Sequence, residues 1–288
     1  MLERKQKEVR QGGSLVAMAD REYKRFSDFI HTECGIKLPP SKKTMVEARL
    51  QKRLRSLNMS EFREYCEYVF SSKGLDEELI HLIDVITTNT TEFFREPRHF
   101  EILNQIVLPK WLAEHRAGRT LRLWSAGCST GEEPYTLAMV LSEFAARNAN
   151  FRFSILATDI STKVLQRAAQ GVYSEDKSSG INYDLKKKYL MRSKDRSRKE
   201  VRFAPEIRRN IQFSRLNFMH DFRFKDPMDI IFCRNVLIYF ERDTQEQLIN
   251  KFCDNLNKGG HLFIGHSESL TGMDLPLSQL APTVYTRI

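Results

Sequence analysis

At 288 residues, with 41% hydrophobic and 29% charged positions, the chain has the profile of a water-soluble globular protein with length for about two domains. No apolar run approaches the ~20 residues of a membrane span, the charged start MLERKQKEVRQGG has no apolar segment behind it, and the five cysteines (Cys34, Cys66, Cys128, Cys233, Cys253) form no C-x-x-C. These features indicate no helical membrane span, no disulfide framework and no zinc site, and they predict a cytoplasmic protein. The net charge of +9 suits an anionic partner, whether nucleic acid, membrane surface or acidic protein, and it gathers at Lys42–Arg55 and Lys186–Arg209.

Residues 1–19 are polar, without a buried period, and predict a flexible arm. Residues 20–90 read as a helical domain. Tyr23, Phe26, Phe29 and Ile30 share one helix face before Gly35 ends the pattern, and Pro39 and Pro40 break the chain. Ser41 is placed to cap a second helix, whose stripe Val46, Leu50, Leu54 and Leu57 is flanked by Arg49, Lys52, Arg53 and Arg55. Ser60 and Asp76 read as the starts of two more helices, the last carrying Leu79, Ile80, Leu82, Ile83 and Ile86.

Beyond, residues 91–288 read as one α/β domain. Short β-rich runs alternate with helical stretches, as in a doubly wound sheet covered on both faces: LRLWSAG, FSILATDI, NIQFSRLN, MDIIFCRN and HLFIGHSE are the strands, and TVYTRI closes the chain as an edge strand. Residues 171–209 are polar, charged and out of step with that alternation, which predicts an inserted antiparallel β subdomain.

The first strand-to-helix turn is the richest segment. Gly127 and Gly131 let backbone approach a ligand, but the spacing is not G-x-G-x-x-G, and Glu132 and Glu133 stand where a phosphate would need positive potential. The turn therefore suits a ligand with an ammonium or sulfonium charge. Asp159 ends the second strand, where it accepts from ribose hydroxyls or caps the next helix. Asn217, Arg234 and Asn235 end other strands and converge on the same carboxyl edge.

TTNTTEFFRE, WSAGCSTGEEPY, ATDIS, CRNVLIYF and GGHLFIGHSES occur in that order. Together they resemble the CheR family of chemotaxis receptor methyltransferases, over nearly the whole chain from Asp20. The resemblance implies a Rossmann-like S-adenosylmethionine methyltransferase sheet with a small N-terminal all-α domain and the β subdomain. It implies that Asn89, Thr91, Arg95, Gly127, Glu133, Asp159, Asn217, Phe218, Arg234 and Asn235 line the cofactor, and that Tyr239 lies beside the transferred methyl. Each also has a plainer reading: Asn89 and Thr91 as helix caps, Arg95 as a surface ion pair, Arg234 as a brace for the sheet edge, Tyr239 as a core aromatic.

The implied reaction esterifies glutamate side chains of methyl-accepting chemotaxis receptors, leaving S-adenosylhomocysteine and requiring no metal. A glutamate carboxylate, with a reference pKa of about 4.3, is ionised at neutral pH and needs no general base. Catalysis is then alignment at roughly 3 Å and exclusion of water. Tyr239 would orient the substrate carboxylate through a neutral hydrogen bond, while Arg95 holds the cofactor's carboxylate or the far substrate oxygen. Arg49, Lys52, Arg53 and Arg55 would steer the acidic methylation helices of the receptor. A monomer recruited to membrane receptor arrays is expected, without nucleic acid or membrane insertion.

The tethering-peptide site of many relatives uses glycines in the β-subdomain loop, and Ser193–Lys199 has none. Two rivals remain, a nucleic-acid methyltransferase and a catalytically silent cofactor-binding signalling module. Against the first, the strand that would carry an amide-flanked aromatic reads CRNVLIY. The sequence GHSES lacks the second glycine of a hydrolase nucleophile elbow.

Overall fold

A computed structural model describes residues 17–288 apart from 88 and 117. Two compact units emerge, one from residues up to His31 together with Leu38–Ile86, the other from Thr32–Lys37 together with Thr87–Ile288. Among the described residues, no helix is long and apolar enough to cross a membrane.

The first unit is helical, made of α1 (Asp20–Cys34) up to His31, α2 (Lys43–Ser56), α3 (Phe62–Val69) and α4 (Ser72–Ile86). Tyr23, Phe26 and Ile30 of α1 are buried, as are Val46, Leu50 and Leu54 of α2, so the 3.6-residue stripes face one core. The helix starts differ from the expected ones. Pro40–Lys42 forms a 3-10 turn that takes up Ser41, and Lys42, not Ser41, precedes α2. Glu61 precedes α3, and α4 begins at Ser72, which leaves Asp76 inside it; packing of the apolar stripe overrides the local capping signal. Of the expected arm, residues 1–16 lie outside the described residues, and Met18 is buried with its amide donating to Glu47 at 2.8 Å.

The second unit opens with α5 (Pro97–Ile102), a π turn over Leu103–Val107 and α6 (Leu108–Glu114). Pro109 supplies no N–H, and the wider i→i+5 turn just ahead, in which the Leu108 amide reaches the Leu103 carbonyl, lets the helix continue past it. The α/β part follows in the order β1 (Thr120–Ala126), α7 (Glu132–Arg147), β2 (Arg152–Asp159), α8 (Thr162–Gln170), β3 (Val172–Ser174), α9 (Tyr183–Tyr189), β4 (Leu190–Arg192) and β5 (Glu200–Phe203). Then come α10 (Pro205–Arg208), β6 (Ile211–Arg215), β7 (Met228–Cys233), α11 (Arg242–Asp254), β8 (Leu256–Ile264), β9 (Leu277–Ala281) and β10 (Val284–Arg287).

The main sheet has the order β6-β2-β1-β7-β8-β10-β9, and β3, β5 and β4 form the separate antiparallel subdomain sheet. Strands β6, β2, β1, β7 and β8 are parallel, while β10 runs antiparallel to both β8 and β9. TVYTRI is therefore not the edge strand: β9, the half-exposed LSQLA, lies outside it and lacks the apolar alternation that would have announced it. Period two splits β1 between the faces, with Leu121 and Leu123 in one core and Trp124 and Ala126 in the other. Trp124 is packed edge-on by Phe222, Phe224 and Phe252 at 5.5, 4.9 and 5.1 Å, and its indole N–H donates to Thr158 Oγ1 at 2.9 Å. Burying that ring removes roughly 200 Å² from water, about 5 kcal/mol at the usual area coefficient.

Candidate functional site

After β1 the chain moves outward to β2 and β6, and then crosses to β7 on the other side of β1. The reversal between β1 and β7 is a topological switch point, and open α/β sheets bind ligands at its carboxyl edge. Here that edge is built by the β1–α7 turn, the end of β2, the end of β7 and the segment before α5.

The turn is stitched to β2. Gly127 and Cys128 donate to the Thr158 carbonyl at 2.8 and 2.9 Å, and Ser129 N–H reaches Asp159 Oδ2 at 2.8 Å. Gly127 and Gly131 sit at φ +83° and +98°, and a Cβ on either would come within 2.5 Å of Val236 or 2.7 Å of the Tyr173 hydroxyl. Glycine is required there both by the left-handed backbone and by close packing behind the turn. Asp159 is buried, its other oxygen accepting from Ser161 N–H at 3.0 Å, and Ser161 rather than Asp159 caps α8.

Glu133 and Glu132 part company. Glu133 accepts from Ser125 Oγ at 2.7 Å and from Arg234 Nε at 2.6 Å. Glu132, 1% exposed, pairs with Lys177 at 2.9 Å and accepts from Thr130 Oγ1 at 2.6 Å, so both its oxygens are engaged within the protein.

Arg234 is the hub. Besides Glu133, it donates from Nη1 to the Arg95 carbonyl at 2.6 Å, and it lies 3.5 Å from Glu96 Oε2 and 3.4 Å from His99 Nδ1, with Phe100 and Phe232 flanking its guanidinium. The bracing expected as its plainer reading is thus present. Asn235, in the left-handed region at φ +59°, reaches Glu96 Oε1 from its side-chain amide at 3.4 Å. Phe94, Glu96 and Ser129 also have positive φ, so backbone strain gathers at this edge, as it does at ligand sites.

The cluster shapes its own titrations. Burial alone would raise Glu96, but the His266 amide and the Arg234 charge outweigh it and hold the carboxyl below its usual value. Burial, then Arg234, pushes His99 down to about 4. Glu96, His99 and His266 have ligand atoms within 4.8 Å of one another, but a guanidinium already stands against two of them.

Other predicted residues are more dispersed. Ser129 Oγ donates to the Asn89 carbonyl at 3.1 Å, which brings the Asn89–Thr91 segment to the turn. Arg95 is half-buried and donates to the Thr90 carbonyl at 3.3 Å, and among the described residues no carboxylate pairs with it. At the end of β6, Asn217 donates to the Glu33 carbonyl at 2.7 Å, and Phe218 packs edge-on to Phe252. Tyr239, half-buried, ends a one-turn helix over Leu237–Tyr239, and its carbonyl accepts from Lys37 N–H at 3.0 Å.

In the first unit, two of the four basic residues are structurally committed. Arg53 grips Glu78 with bonds of 2.7 and 2.5 Å, and Arg49 caps α4 through the Ile86 carbonyl at 2.9 Å. Lys52 and Arg55 are exposed. The β4–β5 loop turns at Lys199, φ +46°, without a glycine. Glu96, His99 and Glu268 had no role assigned from sequence, although Glu96 and Glu268 lie inside quoted motifs; a charge flanked by apolar runs was their only signal.

The family model for the CheR methyltransferase SAM binding domain matches residues 89–286, and that for the CheR methyltransferase all-alpha domain matches residues 21–87. The chemotaxis protein methyltransferase of Borreliella burgdorferi is 40% identical over 92% of this chain and 94% of its own. That of Escherichia coli is 35% identical over 94% of this chain and 92% of its own. Among solved structures, an S-adenosylmethionine dependent methyltransferase from Mesorhizobium loti covers 54% of this chain and 51% of its own, at 17% identity and a TM-score of 0.28.

Proposed function

The chain belongs to the CheR methyltransferase family, and from that premise we propose that it esterifies glutamate side chains of chemotaxis receptors with the methyl group of S-adenosylmethionine. The observation that carries this reading is the assembly at the switch point. One buried guanidinium, Arg234, ties Glu133 of α7 to the Arg95–Glu96 backbone, beside a turn held by Asp159.

The residues fit the cofactor. Asp159 offers buried carboxylate oxygens to ribose hydroxyls, and the Gly127–Gly131 turn presents bare backbone. Glu133 keeps acceptor capacity toward an ammonium, and Arg95, unpaired with any carboxylate among the described residues, suits the cofactor's own carboxylate. When bound, the cofactor supplies an electrophilic methyl on a sulfonium. The protein's tasks are to bind, to align and to exclude water, because the attacking carboxylate is already ionised. Tyr239 orients that carboxylate by a neutral hydrogen bond, which leaves its nucleophilicity intact where an ion pair would blunt it. Lys52 and Arg55, whose charges are not consumed inside the helical unit, attract the acidic receptor segment.

The test is transfer of labelled methyl from S-adenosylmethionine to receptor-bearing membranes, followed by alkali. Base-labile label on the receptor is expected, because carboxyl esters hydrolyse. Alkali-stable label, or label on RNA instead of receptor, would overturn the reading.

A further inference from the structure

Glu268 is a buried carboxylate without a cation. Its residue is 7% exposed, and among the described residues no lysine, arginine or histidine pairs with it. Its partners are backbone amides: Oε2 accepts from Gly265 N–H at 2.5 Å and Asn235 N–H at 3.1 Å, and Oε1 accepts from Leu237 N–H at 2.7 Å. Burial raises the carboxyl's pKa in spite of those amides. An ionised group in this place is expensive, and a cheaper neutral side chain would serve if filling space were enough.

The segment it holds is Asn235–Tyr239. On the other side of that segment, Gln245 Nε2 donates to the Leu237 and Phe240 carbonyls at 2.8 and 3.1 Å. Glu268 therefore holds N–H groups of this short, irregular piece of backbone, and Gln245 one carbonyl within it and one just after it; its first residue is in the left-handed region. Arg234, immediately before it, is anchored separately by Glu133 and the Arg95 carbonyl.

We infer that Glu268 is a positioning residue for methyl transfer: its carboxylate fixes the backbone that leads from Asn235 to Tyr239 and so aims the Tyr239 hydroxyl, without touching either reactant. The inference rests on the proposed function, and it deepens that reading by separating the anchoring of Arg234 from the shaping of the segment after it. Only a carboxylate can accept on both oxygens. In Glu268→Gln the amide end must face an N–H whichever way it is turned.

The test uses the full chain, comparing wild type, Glu268→Gln and Glu268→Asp. Amide hydrogen exchange over 235–239 should accelerate roughly tenfold or more in Glu268→Gln, and kcat should fall roughly ten- to a hundredfold while affinity for S-adenosylhomocysteine changes less than about threefold. Glu268→Asp, with both acceptors kept but a shorter reach, should lie between. If Glu268→Gln does not fold, Glu268→Asp is judged by the same measurements against wild type. Unchanged exchange across 235–239, or equal losses in kcat and in product affinity, overturns the inference. A wild type that transfers no methyl to receptors sinks the functional reading instead, and the exchange measurement still decides whether Glu268 holds the segment.

Discussion

Arg234 Nε lies 2.6 Å from Glu133 Oε2 although 101 residues separate them in the chain, and both side chains are withdrawn from water. Such a pair costs desolvation, so its presence alone says little about net stability; removing one member is what hurts. Arg234→Met should leave Glu133 buried and unpaired, with a loss of about 3–5 kcal/mol in unfolding free energy. Arg234→Met combined with Glu133→Gln should recover much of that stability, yet neither variant should bind S-adenosylhomocysteine as wild type does. Thermal unfolding with calorimetric titration checks this. Strictly additive stability losses would show that the two side chains do not act as a pair.

Tyr239→Phe probes alignment by removing one hydroxyl. The one-turn helix keeps its backbone bonds in this variant, Tyr239 N–H to the Val236 carbonyl at 3.2 Å and Lys37 N–H to the Tyr239 carbonyl at 3.0 Å. Turnover should fall by about tenfold, the worth of one lost hydrogen bond of roughly 1.4 kcal/mol, with product affinity unchanged. Equal losses in both, measured by steady-state kinetics and calorimetry, would assign the hydroxyl to cofactor binding.

The basic flank of α2 divides on inspection of its partners, and so does its expected behaviour. Glu78 is 1% exposed and is satisfied by Arg53 and by the Tyr65 hydroxyl at 2.9 Å. Arg53→Met should therefore destabilise the helical unit by about 3 kcal/mol. Lys52→Glu with Arg55→Glu should leave stability within about 0.5 kcal/mol, while raising the Michaelis constant for receptor and flattening its dependence on salt. A salt dependence identical to wild type would remove these two residues from substrate attraction.

That division also marks what the sequence could and could not reveal. Strands β1, β2 and β7 were legible because strong apolar runs end in Gly, Asp or Asn at the turn, where backbone and ligand demands coincide, and β6 because Ile211 and Phe213 alternate with polar residues. The family resemblance rests on the same turns. Helix starts were misread where a Ser or Asp invited a cap but a tertiary stripe extended or delayed the helix, as with Ser72 for α4. Edge strand β9 was invisible because an exposed strand need not alternate. The partners of Arg53, Glu132 and Glu268 were hidden for a simpler reason: pairing depends on three-dimensional register, and a run of bases or acids looks the same whether solvated or spent.

Two buried histidines should weaken the fold in acid. His99, without exposure, has Nε2 2.8 Å from Thr283 Oγ1; that hydroxyl donates to the Pro282 carbonyl, so it accepts from the Nε2 proton, and the Nδ1 lone pair is left facing Arg234. A second proton there would stand against a guanidinium, with His266 nearby, and only Glu96 would favour it. Burial first and Arg234 second push His99 from 6.5 to about 4; burial first and Lys110 second do the same for His261, whose Nδ1 meets Thr286 at 3.1 Å. Both folded values lie below the unfolded one, so the unfolded chain takes up protons first. The stability these residues contribute is complete above pH 6.5 and is lost as pH falls toward about 4, up to roughly 3 kcal/mol for each. Urea midpoints measured between about pH 7 and about pH 4.5 should therefore fall more steeply for wild type than for His99→Gln or His261→Gln, at constant m. Parallel pH dependence in all three proteins would mean that these imidazoles accept protons in the folded state, and that the Arg234 cluster tolerates a second cation.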